Sequence, residues 1–155
     1  MIATYRIAHF ASITRKRGFT SKIWANPLLV LYRFLTEWVF QYEIPAATII
    51  GSPLIIDHGY GIVINKHSVL GDHIRIKHGV TIGAKTLHGG KQGPSPILGS
   101  NIDIGAHAIL IGSITIGSNV FIGAGAVVVK DVPSDSIAVG NPARNISNIT
   151  IASTI

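Results

Sequence analysis

The chain has 155 residues, of which 47% are hydrophobic, with a net charge of +6 and no cysteine. This is room for one domain with an ordered core; it excludes intrinsic disorder and a disulfide framework, and a cytoplasmic home is the natural expectation. The positive balance favours anionic company, but with 7% aromatic residues and basic residues scattered without a zinc-finger or RNA-recognition signature, no nucleic acid partner is expected.

Residues 1–42 read as a helical segment. A short helix is expected over about Ile2 to Thr14, ended by the basic turn Arg15-Lys16-Arg17-Gly18. Asn26-Pro27 is a helix-start signal. Leu28, Leu31, Leu35, Trp38 and Val39 then recur at helical spacing, with Arg33, Thr36, Glu37 and Gln41 on the remaining face. The apolar run from Leu28 to Phe40 is broken by Arg33 and Glu37 and is too short to cross a bilayer. No small-residue cleavage site closes it, so no signal peptide is expected. The segment should cap the open end of the repeat domain that begins at Glu43, and a basic turn beside apolar helices would also suit peripheral contact with the anionic inner membrane surface.

From Glu43 onward a period of six takes over. Ile44, Ile50, Ile56 and Ile62 are six apart; after a shift of two come Ile64, Leu70, Ile76 and Ile82; after a gap, Leu98, Ile104, Leu110, Ile116, Ile122 and Val128. An even period turns every marked side chain the same way along short extended segments, and glycine turns the chain between them. Three such segments close a coil, and stacked coils bury one aliphatic column, the pattern of a hexapeptide-repeat parallel β-helix. Pro133 and Pro142 end the series after Val128. The expected organisation is therefore mainly β: helical segment 1–42, β-helix 43–146 and tail 147–155.

The stretch "IIDHGYGIVI", Ile55 to Ile64, interrupts this rhythm with Asp57, His58 and two glycines. Counting one coil plus the shift of two places His78 on the same face as His58, one coil higher, about 4.8 Å along the stack. His67, His73 and His107 read as surface or turn residues. His73 and His78 stand in an H-x4-H arrangement, but the third ligand of a zinc-binding hexapeptide protein would fall on Leu35 or Phe40, so no metal is expected. "GAKTLHGGKQGPSP", Gly83 to Pro96, lacks phosphate-loop spacing and reads as a projecting substrate loop.

The hexads, "DHGYGIVI", "HGVTIGAK" and "VGNPAR" resemble the serine acetyltransferase branch of the hexapeptide acyltransferases over roughly Glu43 to Ile146. "YRIAHF", "PLLVLYRFLTEW" and "HGYGIVINK" further resemble the acetyltransferases of colanic acid and related exopolysaccharide clusters. The resemblance implies a left-handed β-helix, a homotrimer with active sites between neighbouring subunits, and acetyl-CoA as donor. Strand connection rules alone would favour the right hand.

The same resemblance assigns roles. His58 matches the family's general base, and Glu43 stands where the family carries the carboxylate that orients it, one methylene longer than the usual Asp. Asp57, His78 and His88 are the expected acceptor contacts. Gly83, Ala84, Ala106 and Ala124 match the groove for the pantetheine arm, with Lys130 and Arg144 placed to meet phosphates or to remain solvated surface charges. The chain departs from serine acetyltransferases in lacking the Arg-His pair of the projecting loop, where "GGKQGPSP" stands, and in having only a short stretch before the repeat. A saccharide hydroxyl, nucleotide-linked or lipid-linked, is thus expected as acceptor, with serine as the alternative; a non-catalytic trimer used as a scaffold is the alternative of another class, and the His58 and Glu43 pair argues against it.

Overall fold

The computed structural model describes residues 2–15 and 19–147. The basic turn at 16–18 and the tail beyond residue 147 lie outside the described residues. Two helices come first, α1 (Ile2–Thr14) and α2 (Phe19–Phe34), the latter running into a wider π turn at Leu35–Val39.

The repeat then winds through coils of three short strands. The first holds β1 (Ile49–Ile50), β2 (Leu54–Asp57) and β3 (Val63–Ile64); the second β4 (Val69–Leu70), β5 (Ile74–Lys77) and β6 (Thr81–Gly83). The third holds β7 (Ile97–Leu98), β8 (Ile102–Ile104) and β9 (Ile109–Ile111); the fourth β10 (Thr115–Ile116), β11 (Val120–Ile122) and β12 (Val127–Val128). Strands at the same place in successive coils pair in parallel, giving three faces ordered β1-β4-β7-β10, β2-β5-β8-β11 and β3-β6-β9-β12. The coil is a left-handed parallel β-helix, the hand that the resemblance implies.

The fourteen hexad markers form the column. All are buried except Ile56, which is half-buried in the first coil, and Ile62, Ile76, Ile82, Ile104, Leu110 and Ile122 have no accessible surface. A single methylene removed from so tight a stack is felt as lost contact and residual cavity.

The corners explain the residues between markers. One corner runs through His73, Asn101, Asn119 and Asp135, all left-handed with φ of 55 to 58°. Asn and Asp tolerate that conformation because a short polar side chain bonds locally. Here they bond along the stack: Asn101 Nδ2 donates to Asn119 Oδ1 at 3.1 Å, and Asn119 Nδ2 to Asp135 Oδ1 at 2.9 Å. At another corner the coils pass so close that a Cβ on Gly71 would lie 2.4 Å from the Gly99 carbonyl oxygen.

The helices do cap the open end, but through a face turned to one side of the stripe that the apolar spacing marks, of which Leu28 and Leu35 are half-buried. Tyr5, Ala8 and Ala11 of α1 and Ala25, Tyr32 and Thr36 are buried, while Leu31, Trp38 and Val39 are exposed. The physical reason is the edge they cover. The first coil presents unpaired carbonyls, which aliphatic side chains cannot satisfy. Tyr32 Oη donates to the Ile44 carbonyl at 2.8 Å, Arg6 Nη1 to that of Ile50 at 3.0 Å, and Tyr5 Oη to that of Thr48. His9 Nδ1 lies 2.7 Å from the Ala46 carbonyl. Burial pushes the Tyr5 hydroxyl up to about 12 and raises Tyr32 and Tyr42 as well, so these groups hold their protons as donors.

Pro27 does not start α2. It falls inside the helix, which begins at Phe19; the roughly 3 kcal/mol cost of an interior proline is offset by packing against α1. The other end differs as well. β13 (Ser136–Val139) extends the central face by one more parallel strand, and β14 (Arg144–Ser147) turns back antiparallel to close it. Pro133 and Pro142 sit in the connections before and after β13, where no ladder bond is required of them.

Candidate active site

The excursion is a change of register. Partners across β2 and β5 are 20 apart, Asp57 opposite Lys77, whereas those across β3 and β6 are 18 apart, Val63 opposite Thr81. The first coil therefore carries two extra residues at this corner, and they fall at His58 and Gly59. His58 is exposed, left-handed at φ 53°, and its carbonyl accepts the Tyr60 N–H at 2.9 Å. The regular path resumes at Tyr60, whose carbonyl accepts the Gly79 N–H at 2.9 Å.

This corrects one expectation. The place beside His78 belongs to Tyr60, not to His58, because the extra residues displace the histidine outward. The Tyr60 and His78 rings stack with centroids 5.0 Å apart at 15°, and the His107 ring meets His78 edge-on at 4.9 Å and 87°. His78 is half-buried between them, and its buried Nδ1 has no hydrogen-bond partner. His107, a turn residue by sequence, is left-handed at φ 58° as expected. Its ring nevertheless lies over Gly79, where a Cβ would come within 2.2 Å of Nδ1.

The carboxylates are placed differently from each other. Asp57 accepts from Arg75 Nη1 at 2.9 Å, with both side chains partly exposed. That partner was not singled out from the sequence: Asp57 stands opposite Lys77, and Arg75 reaches it from two residues earlier on β5. Glu43 is exposed on the open edge, bridged to Val63: its N–H donates to the Ile62 carbonyl at 2.7 Å and its carbonyl accepts from Ile64 at 2.8 Å. No hydrogen bond joins Glu43 to His58 within the protomer. Glu43 instead lines a hollow of about 310 Å³ together with Val63, Gly83, Ala84 and Gln92, so it shares a wall with two of the residues matched to the donor groove.

The remaining matched residues extend along the stack. Ala106 and Ala124 continue the corner above His78, where the His107 N–H donates to the His78 carbonyl and the Gly125 N–H to the Ala106 carbonyl. Their small side chains leave the backbone approachable. Lys130 follows β12 and Arg144 opens β14; both are exposed, and neither forms an ion pair with a described residue. His88 is exposed on a projecting loop closed by Leu87 N–H to the Lys91 carbonyl at 2.8 Å and Gly93 N–H to the Lys85 carbonyl at 2.9 Å. Among the described residues no group of three His, Asp or Glu side chains could hold a metal ion.

Comparison with known proteins agrees with the architecture. No protein-family model matches the chain. The Escherichia coli K12 protein WcaB, provisionally named a colanic acid biosynthesis acetyltransferase, is 48% identical over 93% of this chain and 87% of its own length. The crystal structure of Neisseria gonorrhoeae serine acetyltransferase superposes with a TM-score of 0.74 at 36% identity, over 92% of this chain and 51% of that one. The Brucella abortus serine acetyltransferase in complex with coenzyme A gives 0.74 at 33% identity, over 94% and 54%. The chain thus spans about half the length of those two structures and nearly all of WcaB. Hexads, excursion and these likenesses together establish that the chain belongs to the hexapeptide-repeat acyltransferases, in the branch of the serine and colanic acid acetyltransferases.

Proposed function

We propose that the chain is an acetyl-CoA-dependent O-acetyltransferase that modifies a saccharide hydroxyl, nucleotide-linked or lipid-linked, in exopolysaccharide synthesis. It would act in the cytoplasm as a homotrimer with its sites between neighbouring subunits. The observation that carries the reading is His58: a two-residue insertion in an otherwise regular coil lifts one imidazole off the apolar column and presents it to solvent in a left-handed turn. The likeness to WcaB supports the saccharide acceptor, and the likeness to a coenzyme A complex supports the donor.

In this reading His58 takes the proton of the attacking hydroxyl, the general-base role that imidazole fills most often. The alkoxide oxygen adds to the thioester carbonyl, the C–S bond breaks, an ester forms, and the proton passes from the imidazolium to the departing thiolate. Glu43 orients His58, a contact left open in the isolated protomer and made when substrates are bound. Backbone N–H groups near Gly83 face the oxyanion. Asp57, tethered by Arg75, and His78, clamped between Tyr60 and His107, hold the acceptor, with His88 reaching it from the loop. Ala84, Ala106 and Ala124 admit the pantetheine arm, and Lys130 and Arg144 meet the nucleotide phosphates.

The test is acetyl transfer from acetyl-CoA to a panel of nucleotide-linked and lipid-linked sugars alongside L-serine. A sugar is expected to be used, and serine poorly. A serine kcat/KM of about 10⁴ M⁻¹s⁻¹ or more, within the usual enzyme range, would overturn the saccharide assignment and leave the acyltransfer chemistry standing.

A further inference from the structure

We infer that the N-terminal helical face is a docking surface for an anionic lipid bilayer. The helices leave a set of large apolar side chains uncovered: Ile7, Phe10 and Ile13 on α1, Val30 and Phe34 on α2, and Trp38 in the π turn. Phe10 is 63% exposed, Val30 68% and Trp38 76%. The hydrogen bonds to the β-helix edge come from Tyr5, Arg6, His9 and Tyr32, so capping does not use them. A fully covered aromatic buries 150–250 Å², so Phe10, Phe34 and Trp38 alone present roughly 300 Å². With the aliphatic residues, the exposed apolar area reaches the size of patches that commonly mark interaction sites.

Charge selects the occupant. Arg6 is held on the β-helix edge by the Ile50 and Gly51 carbonyls, and Arg33 is paired with Glu37; the sequence of residues 1–42 adds Arg15, Lys16, Arg17 and Lys22 and no further carboxylate. Five of the chain's six net charges therefore belong to this segment, while the rest is nearly balanced. Two copies meeting through this face would bring like charges together, whereas anionic headgroups attract them as the apolar side chains enter the interface. Trp and Phe beside Lys and Arg is the composition of helices that lie at a membrane surface. No helix among the described residues is long and apolar enough to cross a membrane, so the binding is superficial. This inference does not depend on the proposed catalytic roles.

Co-sedimentation of the full chain with phosphatidylcholine vesicles, with and without phosphatidylglycerol, tests it. The expected result is binding to the anionic vesicles that weakens as salt rises and falls by roughly tenfold or more in a Phe10→Ser/Trp38→Ser variant, as lost interfacial apolar contact requires. Both side chains are exposed, so the variant should keep its circular dichroism and its assembly size. No binding at low ionic strength, or equal binding by the variant, overturns the inference. So does a doubled assembly that the variant halves, because the face would then belong to a second copy.

Discussion

Gly79 is the position where the corner geometry can be tested against a number. Its φ is 69°, and a Cβ there would lie 2.2 Å from His107 Nδ1 and 2.6 Å from Cε1. A left-handed L-residue costs about 1–2 kcal/mol. Pushing the His107 ring aside also forfeits its edge contact with His78, worth about 0.5–1.5 kcal/mol. Gly79→Ala should therefore destabilise the fold by about 2–3 kcal/mol. His107→Gly removes the obstructing ring, so in the double variant only the backbone part of the Gly79→Ala cost remains, and the two changes should couple by about 1 kcal/mol. Urea unfolding followed by circular dichroism, at one fixed protomer concentration, measures all four proteins. Strict additivity, or a Gly79→Ala cost below about 0.5 kcal/mol, the scale of ordinary surface changes, would refute the description of this corner.

The cap should fail in alkali. Tyr5 and Tyr32 ionise near 10 in the unfolded chain and higher in the folded one. Their stabilisation is therefore complete below pH 10 and is lost as the pH rises through 10 toward 12 and above. Absorbance titration should show these two tyrosines ionising only as the helices detach; four tyrosines titrating together near pH 10 in native protein would contradict it. The proposed placement of the site between subunits requires a homotrimer, so sedimentation at micromolar concentration should give three times the protomer mass, and a monomer would remove the basis of the site assignment.

The column was legible because an even period admits one reading: every sixth residue faces inward, and from Ile44 to Val128 every marker but the half-buried Ile56 is buried. The excursion was legible too, since a shift of two between Ile62 and Ile64 has to be accommodated somewhere nearby in the coil. What spacing could not give was which residue takes the regular place after the insertion. Tyr60 and His58 are two apart, and only backbone pairing distinguishes them. The helical face was misread for a different reason. Apolar periodicity identifies a core-facing stripe when the partner surface is apolar, but the end of a β-helix also offers bare carbonyls, and Tyr5, Arg6 and Tyr32 answer those. β13 was missed because its ladder lies between two prolines that never enter it.

Whether His58 is the proton acceptor is decided by one comparison: turnover of His58→Ala and His78→Ala with the true acceptor, each confirmed to keep the wild-type assembly. Loss of a positioned base lowers kcat by about 10² to 10⁴, with acetyl-CoA affinity little changed because the residues proposed for the donor groove lie elsewhere. Loss of the His78 hydrogen bond, worth about 1–2 kcal/mol, costs roughly tenfold. The account predicts that order. A His58→Ala enzyme that keeps more than about a tenth of wild-type turnover, less than one hydrogen bond's worth of loss, while His78→Ala is nearly inactive, would reverse the roles and contradict it.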